Sequence, residues 1–316
     1  MTANPAAWRS GPMLIVFGSI NLDLAFQVPR LPAPGETVLG PAYGVSAGGK
    51  GANQAVAAAR DGAVVAMAGR VGRDSFAEPA IAGLKAAGVD LSRVARGDEP
   101  TGCAAICVDP DGQNQIAVAA GANAAVRADL VPDALLGASA TLLLQMEVPS
   151  GENAALIARA RARGARIVLN LAPAGALPEA ALRAVDALVV NEGEAAALAR
   201  SLGARSEARR IGAAGLAARL GVATIVTKGA HGVLVAMTDG TSWREPAPRV
   251  KAVDTTAAGD AFVGVLAATL DRGGDLCAAV GRAVVAGALA CTRRGAQPSL
   301  PTRIEIDAAL ARGIAT

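Results

Sequence analysis

Asp260 sits in the stretch VDTTAAGDAFVGVLAATL, residues 253–270, where a polar, strand-like run passes through Ala257-Ala258-Gly259 into a long apolar pattern of helical period. A glycine-softened turn that opens a helix attracts negative charge through its unpaired N–H groups and through the helix dipole. The backbone amides of Ala257, Ala258 and Gly259 are suited to hold charge developing on a transferring phosphoryl group. Asp260 is then a carboxylate able to accept a proton from a substrate hydroxyl. Phosphoryl transfer asks mostly for positioning and electrostatics, so this arrangement suffices in kind. An Asp in the first turn of a helix also serves simply as a cap or dipole partner, and that role stays open at this point.

A second glycine-rich stretch, SAGGKGANQAVAAA (46–59), surrounds Lys50 with small residues and carries Asn53 on the first helical turn. Glycines let a backbone approach a ligand closely, and a helix N-terminus offers free N–H groups. Gly51 follows Lys50, so this is not the phosphate loop G-x-x-x-x-G-K-[ST]. No well-placed G-x-G-x-x-G supports dinucleotide binding. The single His, His231, lies in the turn KGAHG without a nucleophile-elbow pattern, which argues against Ser–His–Asp hydrolysis and against a His-based metal site.

The elements that must position these residues follow from composition and period. Of the 316 residues 52% are hydrophobic and only 2% aromatic, so the core is built from Val, Leu, Ile and Ala. Short apolar strands are expected at 13–26 with a break at Gly18, and at 64–72, 140–147, 166–172, 186–192 and 222–229, with helical segments between them. This alternation predicts an α/β fold, a doubly wound, mainly parallel sheet flanked by helices. Two hairpin regions interrupt the rhythm, one Pro- and Gly-rich over 26–49 and one over 102–123 around the turn PDGQ. They predict a small β lid, near 24–47 and 101–122, on a single domain spanning 13–316, with 1–12 as a disordered extension.

Ligands of open parallel sheets bind beyond the carboxyl ends of the strands. The polar residues expected there are Asn21 and Asp23, Glu147, Asn170, Asn191 with Glu194, Lys228 with Gly229, and Asp254. Each alone could cap a helix; together they outline a polar cleft. A net charge of +3 without a basic run gives no case for nucleic acid or membrane surfaces. No apolar segment reaches signal-peptide or membrane-spanning character. Cys103, Cys107, Cys277 and Cys291 lack zinc spacing and read as buried thiols of a cytoplasmic protein.

The motifs GSINLD, PGET, GGKGANQAVAAA, NEGE, VDTTAAGD and TRRGAQPS together resemble the PfkB-type carbohydrate kinase family, in its ribokinase branch, from about residue 13 to about 310. The resemblance implies ATP-dependent phosphorylation of D-ribose at O5, giving D-ribose 5-phosphate and ADP. It implies that Asn21 and Asp23 bind sugar hydroxyls, that Gly49, Lys50 and Asn53 line the same pocket, and that Glu147 closes it. Asp260 would be the base, with Ala257 to Gly259 as an anion hole. Asn191 and Glu194 match an N-x-x-E element that helps to place Mg²⁺ and the ATP phosphates, and Thr227, Gly229 and Gly232 would lie along the nucleotide. Asp254, Thr256, Ala290, Arg293, Gly295 and Ser299 align with a site for a monovalent cation, K⁺, formed largely by backbone carbonyls. A homodimer paired through the lids is also implied.

The chain departs from the family pattern at Val284, where a His or Asn is expected beside adenine, and at Gly193 in NEGE. Its lid offers only Phe26 and Tyr43 for stacking, which favours a bare sugar over a nucleoside. The alternatives are a kinase for deoxyribose, another sugar or a nucleoside, a non-catalytic sugar-binding or regulatory protein, and, remotely, a nicotinamide oxidoreductase.

Overall fold

Strand β1 (Met13–Phe17) is apolar throughout, and its alternate side chains enter different layers. Leu14 and Val16 join one buried cluster, while Ile15 and Phe17 join another on the opposite face. A strand that buries both faces needs helices on each side, and the computed structural model, which describes residues 13–203 and 212–313, has them.

In chain order the strands are β1, β2 (Asn21–Gln27), β3 (Ala42–Gly48), β4 (Val65–Val71), β5 (Asp90–Arg96), β6 (Gly102–Val108), β7 (Asn114–Ala119), β8 (Ala140–Leu144), β9 (Arg166–Asn170), β10 (Ala187–Asn191), β11 (Ala223–Thr227), β12 (Val233–Ala236) and β13 (Ser242–Glu245). The helices are α1 (Lys50–Arg60), α2 (Ala77–Ala86), α3 (Ser150–Ala162), α4 (Glu179–Leu182), α5 (Glu192–Ser201), α6 (Ala213–Leu220), α7 (Ala258–Asp271), α8 (Leu276–Ala290) and α9 (Arg303–Ala311). Among the described residues nine strands form one sheet, in the order β13-β12-β11-β10-β9-β8-β1-β4-β5. It is parallel from β11 to β5, with β12 and β13 antiparallel at one edge. The expected doubly wound sheet is therefore present.

Four strands form the smaller second sheet, β3-β2-β6-β7. The chain leaves the main sheet at Gly18, the expected break. A Cβ there would stand 1.9 Å from Gln145 Oε1, so the crossing needs a residue without a side chain. β2 then pairs antiparallel with β3 and parallel with β6, so Asn21 faces Gly48 on one side and Gly102 on the other. Both glycines are dictated by space. A Cβ at Gly48 would meet Asp23 Oδ2 at 2.0 Å, and one at Gly102 would meet Asn21 Oδ1 at 2.3 Å.

Helices α1 and α7 lie unusually close. Ala52, Ala55, Ala57 and Ala58 on α1 are fully buried, and a Cβ on Gly264 of α7 would come 2.5 Å from the Gln54 carbonyl oxygen. Small residues at a helix crossing shorten the interaxial distance, and here they bring the first turns of the two helices face to face.

The structure differs from the sequence reading at several points. The cysteines expected to be buried are not: Cys277 is exposed, and Cys103, Cys107 and Cys291 are half-buried. Residues 253–256 form no strand; they are a loop tied to α8 by the N–H groups of Val253 and Asp254, which donate to the Cys291 carbonyl at 2.8 and 3.2 Å. Residues 121–123, read as the end of a hairpin strand, belong to a 3-10 turn, Gly121–Ala125. Strands β5, β12 and β13 were not expected, because a polar edge strand and four-residue strands carry little periodic signal. The extension 1–12 lies outside the described residues.

Candidate active site

Asp260 is the third residue of α7 and is 7% exposed. Its carboxylate accepts hydrogen bonds from Asn53 Nδ2 and Gln54 Nε2, each at 3.0 Å, both from the first turns of α1. The glycine-rich turn and the AAGD turn thus open two helices against one another. Burial pushes the Asp260 carboxyl up from its ordinary range, and Lys50, Asn53 and Gln54 oppose that. Lys50 is in turn held above its usual range, chiefly by Asp260 and against the effect of its own burial.

Ala257 is the N-cap of α7 and, among the described residues, the one non-glycine with positive φ, 59°. That conformation costs an L-residue roughly 1–2 kcal/mol, a strain of the sort found where a turn has a task. The N–H groups at a helix start have no intrahelical acceptor. Here the N–H of Ala258 already donates to the Thr255 carbonyl at 3.2 Å, so of the amides expected to face an anion, Ala258's is turned into the loop.

On the sugar side of the expectation, Asn21 is buried and Asp23 half-buried on β2. Burial, and then repulsion from Glu147 and Asp260, raises the Asp23 carboxyl to about 6. Glu147 lies just beyond β8; its Oε2 accepts from Ser19 Oγ at 2.6 Å and from the backbone N–H of Lys50 at 2.9 Å. Gly49 has φ 87°, and a Cβ there would meet the Asn21 nitrogen at 2.8 Å. A cleft of about 380 Å³ between the two sheets is lined by Asn21, Asn123, Met146 and Glu147. A larger groove, about 560 Å³, runs over the small sheet past Phe26 and Tyr43 and reaches none of Asp23, Glu147 and Asp260.

Asn191 and Glu194 form a capping box at the start of α5. Glu194 N–H donates to Asn191 Oδ1, and Asn191 N–H donates to Glu194 Oε2, both at 2.8 Å. Their spacing therefore has a structural explanation of its own, and burial raises the Glu194 carboxyl against the pull of Asn191 and Lys50. Asn191 stands opposite Thr227 in the parallel register of β10 and β11. Gly229 and Gly232 then turn the chain into β12, with the Lys228 N–H donating to the Gly232 carbonyl at 2.8 Å and Lys228 Nζ 3.1 Å from Glu192. Val284 is buried in the hydrophobic cluster against α7.

Asp254 organises the loop before the AAGD turn. It accepts from the Thr256 N–H at 2.9 Å, the Thr256 hydroxyl at 2.6 Å and the Gly295 N–H at 2.8 Å. Burial works to raise its carboxyl, but these donors hold it below its ordinary range. Ala290 ends α8, and its carbonyl accepts the Arg293 N–H at 3.3 Å. The Arg293 guanidinium pairs with Glu305, and Ser299 Oγ donates to the Ala296 carbonyl at 2.8 Å. Asp254, Thr256 and Gly295 are in direct contact, whereas the side chains of Arg293 and Ser299 are engaged elsewhere.

Four residues beside these were not singled out from the sequence: Ser19, Gln54, Asn123 and Gln145. Asn123 Nδ2 donates to Asn21 Oδ1 at 2.7 Å while its Oδ1 accepts the Ile20 N–H at 2.9 Å. Gln145 Nε2 donates to Gln54 Oε1 at 2.7 Å. Gln54 follows Asn53 directly and could have been found by that adjacency. Gln145 extends an apolar strand run and gives no such signal.

Residues 12–303 match the pfkB family of carbohydrate kinases. The chain is 39% identical over 297 residues to a ribokinase of Haemophilus influenzae, covering 92% of this chain and 96% of that one. Among solved structures it resembles a ribokinase from Thermotoga maritima (TM-score 0.87, 34% identity, 95% of this chain and 99% of that one). It also resembles an Arabidopsis thaliana ribokinase complexed with ribose and ATP (TM-score 0.84, 30% identity, 95% and 99% covered).

Proposed function

Because the chain belongs to the pfkB family of carbohydrate kinases, we propose that it transfers the γ-phosphoryl group of ATP to the O5 hydroxyl of D-ribose, giving D-ribose 5-phosphate and ADP. The observation that carries the mechanism is the burial of Asp260 at a helix start, between two amides that donate to it. Those donors favour its ionised, accepting form against burial, the larger effect, which favours the protonated form. In the reaction the O5–H proton passes to Asp260, the O5–phosphorus bond forms, and the bond from phosphorus to the β,γ-bridging oxygen breaks, with ADP leaving. Lys50, at the start of α1 and coupled by charge chiefly to Asp260, supplies positive charge for the phosphates, and the Ala257 and Gly259 N–H groups serve the same charge. Asn21, Asp23, Asn53 and Glu147 hold the sugar hydroxyls. Ribose, rather than a nucleoside, fits a cleft with no aromatic residue in its lining, since Phe26 and Tyr43 stand over a separate groove.

The oxygen donors present fit two ions in kind. Asp254, with the carbonyls at Ala290, Arg293 and Gly295, is a hard-oxygen set suited to K⁺ beside the AAGD loop. Among the described residues no group of three or more His, Cys, Asp or Glu could hold a metal, which suits Mg²⁺ carried mainly on nucleotide phosphates, with Glu194 and Asn191 near it. When bound, these cations offset phosphate charge. Pairing of two chains through the small sheets is part of the reading. Strand β7 is exposed along its length, and Tyr43, Val45, Ile116 and Val118 are each more than half exposed. A cytoplasmic location is also part of the reading; among the described residues no helix is long and apolar enough to cross a membrane.

The test is ADP release with Mg·ATP against ribose, deoxyribose, hexoses and nucleosides, with K⁺ and with Na⁺ alone. Ribose should give the highest kcat/KM, and Asp260→Asn should lower kcat about 10²–10⁴-fold without abolishing sugar binding. Undiminished turnover in Asp260→Asn would refute the base assignment, and ribose binding without turnover in the parent would make the chain a sugar-binding protein.

A further inference from the structure

The partners of the two amides on Asp260 determine which end of Gln54 it meets. A side-chain amide can be turned end for end, so its orientation must be argued from neighbours whose nature is unambiguous. Asn170 provides one: its Nδ2 lies 3.2 Å from the Val189 carbonyl oxygen, which only accepts. Asn170 Oδ1 therefore faces Gln54 and requires a donor, and Gln54 meets it with Nε2 at 3.0 Å. The same Nε2 gives its other proton to Asp260 Oδ1. Gln54 Oε1 is left to accept from Gln145 Nε2. Turning Gln54 over would set acceptor against acceptor at both Asn170 and Asp260.

Gln54 also has nowhere else to go. It is fully buried, and α7 crosses α1 directly over its backbone carbonyl at Gly264. Its line of hydrogen bonds runs from a β10 carbonyl through β9 and α1 to the reacting end of α7, and all four members are buried. Buried networks that are satisfied in this way rigidify their members.

We propose that Gln54 is a positioning residue for Asp260: anchored through Asn170 on the Val189 carbonyl, it presents an N–H that no turn of its amide can withdraw, and so orients the carboxylate as acceptor of the substrate proton. This rests on the reading of Asp260 as the base. The charged groups facing Asp260 are Lys50 on α1, which favours its ionised form, and Glu147 beyond β8 and Asp23 on β2, which oppose it. None of them is altered by a change at Gln54.

Gln54→Met keeps the length and removes the donor. In the phosphorylation assay the acid limb of kcat/KM against pH should move up by about one pH unit, the order expected for losing one hydrogen bond to a charged group. The KM for ribose should stay within about threefold of the parent, because Gln54 makes none of the sugar contacts. Asn170→Ala, one step further out, should move the same limb in the same direction, and it decides the matter if Gln54→Met does not fold. A lowered Tm with the limb at its parental position in the folded variant would overturn the proposal and leave Gln54 as packing. Asp260→Asn in the same assay separates the two readings. If that variant is inactive while Gln54→Met titrates like the parent, only the positioning role fails; if it turns over like the parent, the base assignment fails and the positioning role with it.

Discussion

Asp23 is ionised at neutral pH at the expense of stability, and Asp23→Asn measures by how much. Its carboxyl lies at about 6 in the folded protein against 3.8 in a model carboxyl, first because it is buried and then because Glu147 and Asp260 repel it. Ionising it in place therefore costs about 3 kcal/mol more than ionising it in the unfolded chain. The sign follows from proton counting. Between pH 3.8 and 6 the folded state binds more protons than the unfolded state, so this group's contribution falls as pH rises through that window. Below the window it contributes nothing, and above it the penalty is constant. Asn has the same shape and carries no charge, so it fits the space against Gly48 that excludes a Cβ. The variant without ligand should be more stable than the parent at pH 7.5 by up to about 3 kcal/mol, a gain of several degrees in Tm, and nearly unchanged at pH 4. Calorimetric unfolding at the two pH values is the assay, with ribose affinity measured alongside. A variant no more stable than the parent at pH 7.5, or stabilised equally at both, would refute a cost of ionising Asp23 set by burial and by repulsion from Glu147 and Asp260.

Two further substitutions probe the frame around the site. In Gly48→Ala the added Cβ would stand 2.0 Å from Asp23 Oδ2, so the carboxylate must rotate away. The KM for ribose should rise about tenfold or more and the KM for ATP should not change, read from initial rates; an unchanged ribose KM would remove Asp23 from the sugar pocket. Asp61, fully buried at the end of α1, pairs with Arg272 and Arg282 at 2.5 Å each and ties the C-terminal end of α1 to that of α7 and to the middle of α8. Asp61→Ala removes the buried carboxylate shared by the two guanidinium groups, leaving Arg282 only its half-exposed partner Asp307, and should cost about 3 kcal/mol of stability in chemical unfolding while the ribose KM holds.

The parallel sheet was legible because its strands are short, wholly apolar runs separated by helical period, a pattern that survives without any knowledge of neighbours. Of the strands that escaped, β5 and β13 are the edges of the main sheet, where polar residues such as Arg93 or Arg244 are tolerated, and β12, apolar and paired on both sides, is only four residues long. The VDTT run read as a strand for the opposite reason: Val and Thr favour extended backbone, but Asp254 closes the segment on itself by accepting from Thr256. At the site, residues such as Asp260 and Asn53 stood out because a carboxylate or amide at a helix start next to glycine is chemically pointed. Of their supports, Asn170 stood out as a polar strand end, but Gln54 and Gln145 did not, and nothing in sequence distance relates Gln145 and Asn170 to Gln54, 91 and 116 residues away. What joins them is the crossing of α1 and α7, set by alanines and Gly264 that look like mere low-information filler in the sequence. The spacing of small residues thus decides how near two helix starts can come, and with it whether Gln54 reaches Asp260 at all. Glycine and alanine at that crossing belong to the chemistry as much as the carboxylate does, although only the carboxylate carries a reactive group.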